Sequence, residues 1–260
     1  MLEVGHTTEG TRIIQELFKE KIFSFAKPVS LISKLVEQGT NSSDGDIVLD
    51  FFAGSGTTAQ AILELNKTDA GNRHYILVQL PEPTGREDYP TISDITKERV
   101  RRVIKKLNDE DAGKLGLKTT TEDRGFKVFK LQSSNFKTWN ANVPREPEAL
   151  VQQLEMHVDH IVEDRTQEDL LFEILLKSGF PLTTSIETLS LAGKAVFSIS
   201  DGAMLICLEK ELTGELIREI ANRKPERVVC LDEGFAGNDQ LKTNAVQTMK
   251  AKGVVKFQTV

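Results

Sequence analysis

The stretch Asp46-Ile47-Val48-Leu49-Asp50-Phe51-Phe52-Ala53-Gly54-Ser55-Gly56-Thr57-Thr58 decides how this 260-residue chain folds. Ile47, Val48 and Leu49 form a short apolar run, which predicts a strand buried on both faces. Asp50 stands where that strand ends. Gly54 and Gly56 permit a tight turn and close approach of a ligand to the backbone. Thr57 and Thr58 then open an amphipathic helix through Ala61, Ile62 and Leu65. A strand, a glycine loop and a helix start aim free N–H groups at whatever binds there. Gly54-x-Gly56-x-x-Ala59 also fits the dinucleotide fingerprint. Asp50 and Phe52 separate the two readings. A carboxylate four residues before the first glycine repels a pyrophosphate and suits a cation, such as the ammonium of an amino acid. Phe52 offers a surface for a flat or apolar ligand part.

Upstream, a helix is expected over residues 11–25, with Ile13, Ile14, Leu17 and Phe18 on one face. Lys27-Pro28 then imposes an extended turn, because a residue before proline avoids the helical region. Pro28 suits the start of the next helix, which runs to about Glu37. Downstream, His74 to Leu80 reads as a second strand. A strand–helix–strand unit of this length makes the two strands parallel neighbours. In doubly wound folds the end of the second strand holds ribose hydroxyls, usually through an acidic residue. Gln79 occupies that position here, with Glu82 following.

A basic helix follows over 95–107, carrying Lys97, Arg99, Arg101, Arg102, Lys105 and Lys106. Such a run reads as a solvated face, with a phosphate-contacting face as the alternative. Residues 125–131 alternate like a third strand, and 140–147 read as a linker. Beyond it a helix with His157-x-x-His160 is expected; this is half a metal site at most, with no matching cluster to complete it. A helix over 168–178 and short strands and helices at 195–199, 203–208, 212–221, 227–231, 239–250 and 254–257 make a small α/β module. The loop Asp232 to Asp239 is acidic and reads as structural, with Asn238 or Asp239 as N-cap.

The composition is that of an ordinary globular protein. The net charge of −6 argues against a chain that coats nucleic acid unaided. No apolar run approaches the roughly 20 residues that span a bilayer, and the N-terminus lacks the pattern of a signal peptide. Cys207 and Cys230 lie in apolar runs, as buried free thiols of a cytoplasmic protein do.

The motifs K-P-V-S-L-I, D-F-F-A-G-S-G-T-T, G-N-R-H-Y-I-L-V-Q-L-P-E, G-F-K-V-F-K-L-Q-S-S-N-F-K and L-F-E-I-L-L-K-S-G-F-P-L-T resemble the C-terminal part of the modification (Mod) subunit of type III restriction–modification systems. The resemblance implies a partial Rossmann-like α/β sheet over 1–139, the linker 140–147 and an α/β module at 148–260 for dimerisation or partner contact. It implies S-adenosylmethionine as cofactor, held by Lys27, Pro28, Asp50, Phe52, Ala53, Gly54, Ser55, Gly56, Thr57, Thr58 and Gln79, and no metal. It implies DNA as substrate in the full-length protein, a homodimer, and a restriction subunit as partner. The family methylates the N6 amine of adenine through a D-P-P-Y tetrapeptide. No two prolines are adjacent in these 260 residues, so that motif is absent and no catalytic residue is assigned. The expectation is a split, truncated or expressed fragment, inactive alone, whose first strand awaits a separate chain carrying the catalytic half. The other classes are a non-catalytic assembly module and a nucleotide-binding Rossmann protein.

Overall fold

The computed structural model describes residues 7–113, 123–137, 161–235 and 237–260. The chain divides into two compact units, Met1–Phe126 and Lys127–Val260.

In the first unit, α1 (Thr7–Phe18) buries Ile14 and Phe18. It stops short of the expected residue 25, because Lys19 turns into the left-handed region at φ 66°. Ile22 and Ala26 continue the same apolar cluster in non-helical chain. α2 (Val29–Gly39) follows Pro28, whose φ of −62° and ψ of 133° give the extended entry that its ring favours. Proline has no side-chain cap to offer. The carboxylate of Glu9 serves instead, accepting from Ser30 N–H (3.3 Å) and Ser30 Oγ (2.9 Å). Neighbouring Gly10 lets α1 approach this turn: an added Cβ would lie 2.2 Å from the Ala26 carbonyl oxygen.

β1 (Ile47–Asp50), α3 (Thr57–Asp69) and β2 (His74–Leu77) form the expected βαβ unit. The strands are parallel, with Ile47 opposite His74 and Asp50 opposite Leu77. Val48, Tyr75 and Leu77 turn inward onto apolar clusters from α2, α3 and α4 (Ile92–Ala112). Among the described residues the opposite face is bare. Ile47, Leu49, Phe51, Ile76, Val78 and Leu80 are all exposed, Ile47 at 64% and Leu80 at 65%. The expected burial of β1 on both faces therefore fails within these residues. The apolar run is there, but helices cover only one side of the sheet.

In the second unit the strand order equals the chain order: β3 (Ile186–Leu191), β4 (Lys194–Ile199), β5 (Met204–Cys207), β6 (Arg227–Cys230) and β7 (Lys256–Thr259). β3 to β5 pair antiparallel, and β5 to β7 pair parallel. Both faces are covered. Leu205, Cys207, Val228 and Cys230 meet α6 (Gly214–Asn222) and α7 (Asp239–Ala251) on one side. Met204, Ile206 and Val229 meet α5 (Gln167–Lys177) on the other. Both cysteines are free and buried, and burial pushes their thiols up. β3 was not expected from the sequence. It is joined to β4 by Ala192-Gly193, both at positive φ (46° and 74°), the backbone of a tight hairpin. Residues 125–131 hold no strand and pair with no strand edge among the described residues, and Leu131 is 99% exposed. The linker 140–147 and the His157/His160 pair lie outside the described residues.

Candidate functional site

The end of β1 and the glycine loop are wired together. Val78 N–H donates to the Asp50 carbonyl (2.8 Å), and Ala53 N–H returns to the Val78 carbonyl (3.1 Å), extending the β1–β2 ladder into the loop. The Asp50 carboxylate accepts from Phe52 N–H (3.1 Å) and from Thr58 Oγ1 (2.6 Å). A carboxylate offers about four lone-pair sites, so two hydrogen bonds fix its orientation and leave acceptor capacity. Gly54 and Gly56 both take positive φ, 53° and 80°. At Gly56 a Cβ would also press on the Thr96 methyl at 3.0 Å. Thr96, on α4, holds the loop from below: its Oγ1 donates to the Gly54 carbonyl (2.5 Å).

Gln79 sits just beyond β2, where the ribose contact is expected. Its Oε1 accepts from Gly54 N–H (2.7 Å), and its Nε2 donates to the Leu80 carbonyl (3.1 Å). In this geometry it braces the glycine loop from the neighbouring strand. Pro28 is buried and Lys27 exposed. The Lys27 carbonyl, not its ammonium, reaches the loop, accepting from Thr57 Oγ1 (3.4 Å). Ala53, Ser55, Gly56, Thr57 and Thr58 are buried, and Phe52 is 82% exposed beside Phe51, with ring centroids 5.0 Å apart. The structure thus brings the K-P turn, the end of β1, the glycine loop and Gln79 into one locality.

Arg99, read in the sequence as one of a solvated basic run, is wholly buried beneath this loop. Its Nη1 donates to Ser55 Oγ and Thr57 Oγ1 (both 2.9 Å) and lies 3.4 Å from the Ser55 carbonyl; its Nε donates to Gln60 Oε1 (2.9 Å). Burial lowers its pKa to about 10, which leaves it charged at neutral pH. The signal was present: Ile95, Arg99 and Val103 recur every fourth residue on the buried stripe of α4. The rest of the run is a salt-bridged surface. Lys97 pairs with Asp94 (2.8 Å), and Arg102 with Glu98 (2.7 Å) while lying over the Phe18 ring. In the second unit Asn238 caps α7 by accepting from Leu241 N–H, as its position suggested.

Residues 5–107 match the family model described as DNA methylase. The chain is 31% identical over 238 residues to the Mod subunit of type III restriction–modification enzyme EcoPI of Escherichia phage P1, covering 89% of this chain and 33% of that subunit. It is 30% identical over 251 residues to the EcoP15I Mod subunit of Escherichia coli, covering 90% and 35%. Similarity to the type II methyltransferase M.KpnI of Klebsiella pneumoniae is 33% over 110 residues, or 40% of this chain and 26% of that enzyme. The chain therefore spans about a third of the length of the Mod subunits it matches. The likeness to them necessarily runs far into the second unit, whereas the methylase model ends inside the first.

Proposed function

We propose that this chain, whose residues 5–107 belong to the DNA methylase family and which is Mod-like over most of its length, supplies the S-adenosylmethionine-binding half of a DNA adenine-N6 methyltransferase. The observation that carries this reading is the Asp50 carboxylate, fixed by Thr58 and Phe52 N–H at the lip of a loop with two positive-φ glycines. An anion held there attracts an ammonium and repels a pyrophosphate. The residues fit the cofactor: Asp50 for its ammonium, the loop backbone and the K-P turn for its methionine end, Phe52 for an apolar or flat part, Gln79 near its ribose. When bound, S-adenosylmethionine supplies a methyl group on a sulfonium, electrophilic enough for a weak amine nucleophile.

Residues of this chain orient that group but do not activate the adenine. An exocyclic amine has its lone pair delocalised into the ring, and needs an acceptor for its protons. The 260 residues contain no D-P-P-Y to provide one. We place that motif on polypeptide that pairs with β1 and covers Ile47, Leu49, Ile76 and Val78, an apolar face of the kind that marks an interaction site. In the assembled enzyme the substrate is DNA and the restriction subunit the partner. The second unit, with a core of its own and reached by the likeness to the Mod relatives, is the part we assign to dimer or partner contact.

Calorimetric titration with S-adenosylmethionine and with NAD tests the reading, using the unaltered chain and Asp50→Ala. Binding of S-adenosylmethionine alone, lost in the variant, is the expected result. Binding of NAD, or no binding of S-adenosylmethionine, sinks it. Adding a polypeptide that bears D-P-P-Y then has to restore methylation of adenine in DNA.

A further inference from the structure

Arg99 poses an energetic problem that packing does not solve. A charge removed from water is costly unless it is paired directly with an opposite charge. Among the described residues, every hydrogen bond that Arg99 makes goes to a neutral acceptor: two hydroxyls, a carbonyl and an amide. Its Nη2 is buried and has no partner among the described residues. The carboxylate that acts on it is Glu64, and that link is indirect: Gln60 accepts from Arg99 Nε through Oε1 and donates from Nε2 to Glu64 (2.8 Å). An amide stands where a carboxylate would neutralise the guanidinium. The positive charge is left facing Ser55 and Thr57, at the start of α3, where the helix dipole has the same sign.

The two adjacent threonines make the geometry polar. Thr57 Oγ1 accepts from the buried cation, whereas Thr58 Oγ1 donates to the Asp50 anion. One loop thus presents a negative pole at the strand end and a positive pole at the helix start. A zwitterionic amino-acid group complements both.

We propose that Arg99 is a positioning residue for the carboxylate of the bound methyl donor, its charge, which no carboxylate contacts directly among the described residues, fixing the amino-acid end with carboxylate toward the Ser55–Thr57 helix start and ammonium toward Asp50. This rests on the reading of the loop as a S-adenosylmethionine site. It also accounts for the amide at position 60: a glutamate there would quench the field that the site uses.

The test compares S-adenosylmethionine with its decarboxylated form, which keeps the ammonium, sulfonium and adenosine and lacks only the carboxylate. Gln60→Glu, made together with Glu64→Gln so that position 64 donates where it now accepts, keeps the guanidinium and its hydrogen bond but places a carboxylate against it. This double variant is expected to weaken S-adenosylmethionine about tenfold and leave the decarboxylated compound unweakened. Arg99→Met, which removes charge and fork together, is expected to show the same selective loss where it folds. Equal losses for both compounds, or none, overturn the inference and return Arg99 to a purely structural role. Failure of the unaltered chain to bind S-adenosylmethionine overturns instead the reading of the loop beneath it.

Discussion

Two sheets of the same chain differ in how far they are finished. The central strands of the second unit are covered on both faces, and Ile206 and Cys207, neighbours on β5, are buried on opposite sides. The two strands of the first unit are covered on one face, and their outward positions are as apolar as the inward ones. An ordinary half-exposed sheet alternates apolar inward and polar outward. β1 and β2 do not, so their composition is that of strands meant to be sandwiched. The difference marks a defined apolar surface on the first unit, and it is there that we propose the partner polypeptide sits.

The largest effect that sharpens this contrast is expected from Ile206→Ala. It leaves a void in a closed core and costs about 3–4 kcal/mol, read as lost hydrogen-exchange protection across β4 to β6. A cost below about 1 kcal/mol would mean that the second unit is looser than its packing shows. Gly56→Ala comes next. Its φ of 80° and the Thr96 methyl at 3.0 Å make the change cost about 1–2 kcal/mol in the first unit, and S-adenosylmethionine binding is expected to fall with it. Unchanged stability and binding would show that the loop tolerates another backbone.

A smaller effect lies at the start of α4, where Thr91 and Asp94 form a capping box. Thr91→Ala should cost about 1 kcal/mol by thermal unfolding. The Lys97 ammonium and the Thr91 hydroxyl hold Asp94 down at about 2, below its ordinary 3.8. The carboxylate therefore adds stability above its ordinary value, and this is lost as pH falls from about 4 toward 2. In Asp94→Asn that part of the acid destabilisation should vanish; an unchanged acid profile would refute it. The smallest effect on stability, within about 0.5 kcal/mol, is expected from Leu49→Ser on the bare face. The same change should reduce self-association in sedimentation. A large loss of stability there would break the comparison, by showing that the face is already covered.

Much of this was legible before the structure. The βαβ unit, the glycine loop and the K-P turn follow from glycine and proline positions, whose backbone demands are local. The missed features depend on what the chain finds in space. β1 was expected to be enclosed, because an apolar strand says what should cover it and not whether the cover is present. Residues 125–131 alternate like a strand, but a ladder needs an edge to join. β3 was overlooked although Ala192-Gly193 marks its hairpin, since Glu187 and Ser190 make it read as polar loop. At the candidate site the loop residues and the K-P turn group together because they are near neighbours in the chain. Two connections were invisible: Gln79 bracing Gly54, and Arg99 rising beneath the loop from a helix whose other basic residues face outward.

The strand order of the second unit has a kinetic consequence. Each strand pairs with the one before it in the chain, from the β3–β4 hairpin through to β7. No strand must wait for a distant segment, so every closure spans only the loop or helix between neighbours, and the entropy lost at each step is small. Pairing between strands adjacent in the chain keeps the contact order down, with the parallel β5–β6 and β6–β7 pairs, each closed over a helix, the slower steps. The hairpin with its two-residue turn is the natural nucleus, and β7 the last strand to dock. Stopped-flow refolding should accordingly find substitutions in the β3–β4 turn slowing folding, and substitutions in β7 chiefly speeding unfolding.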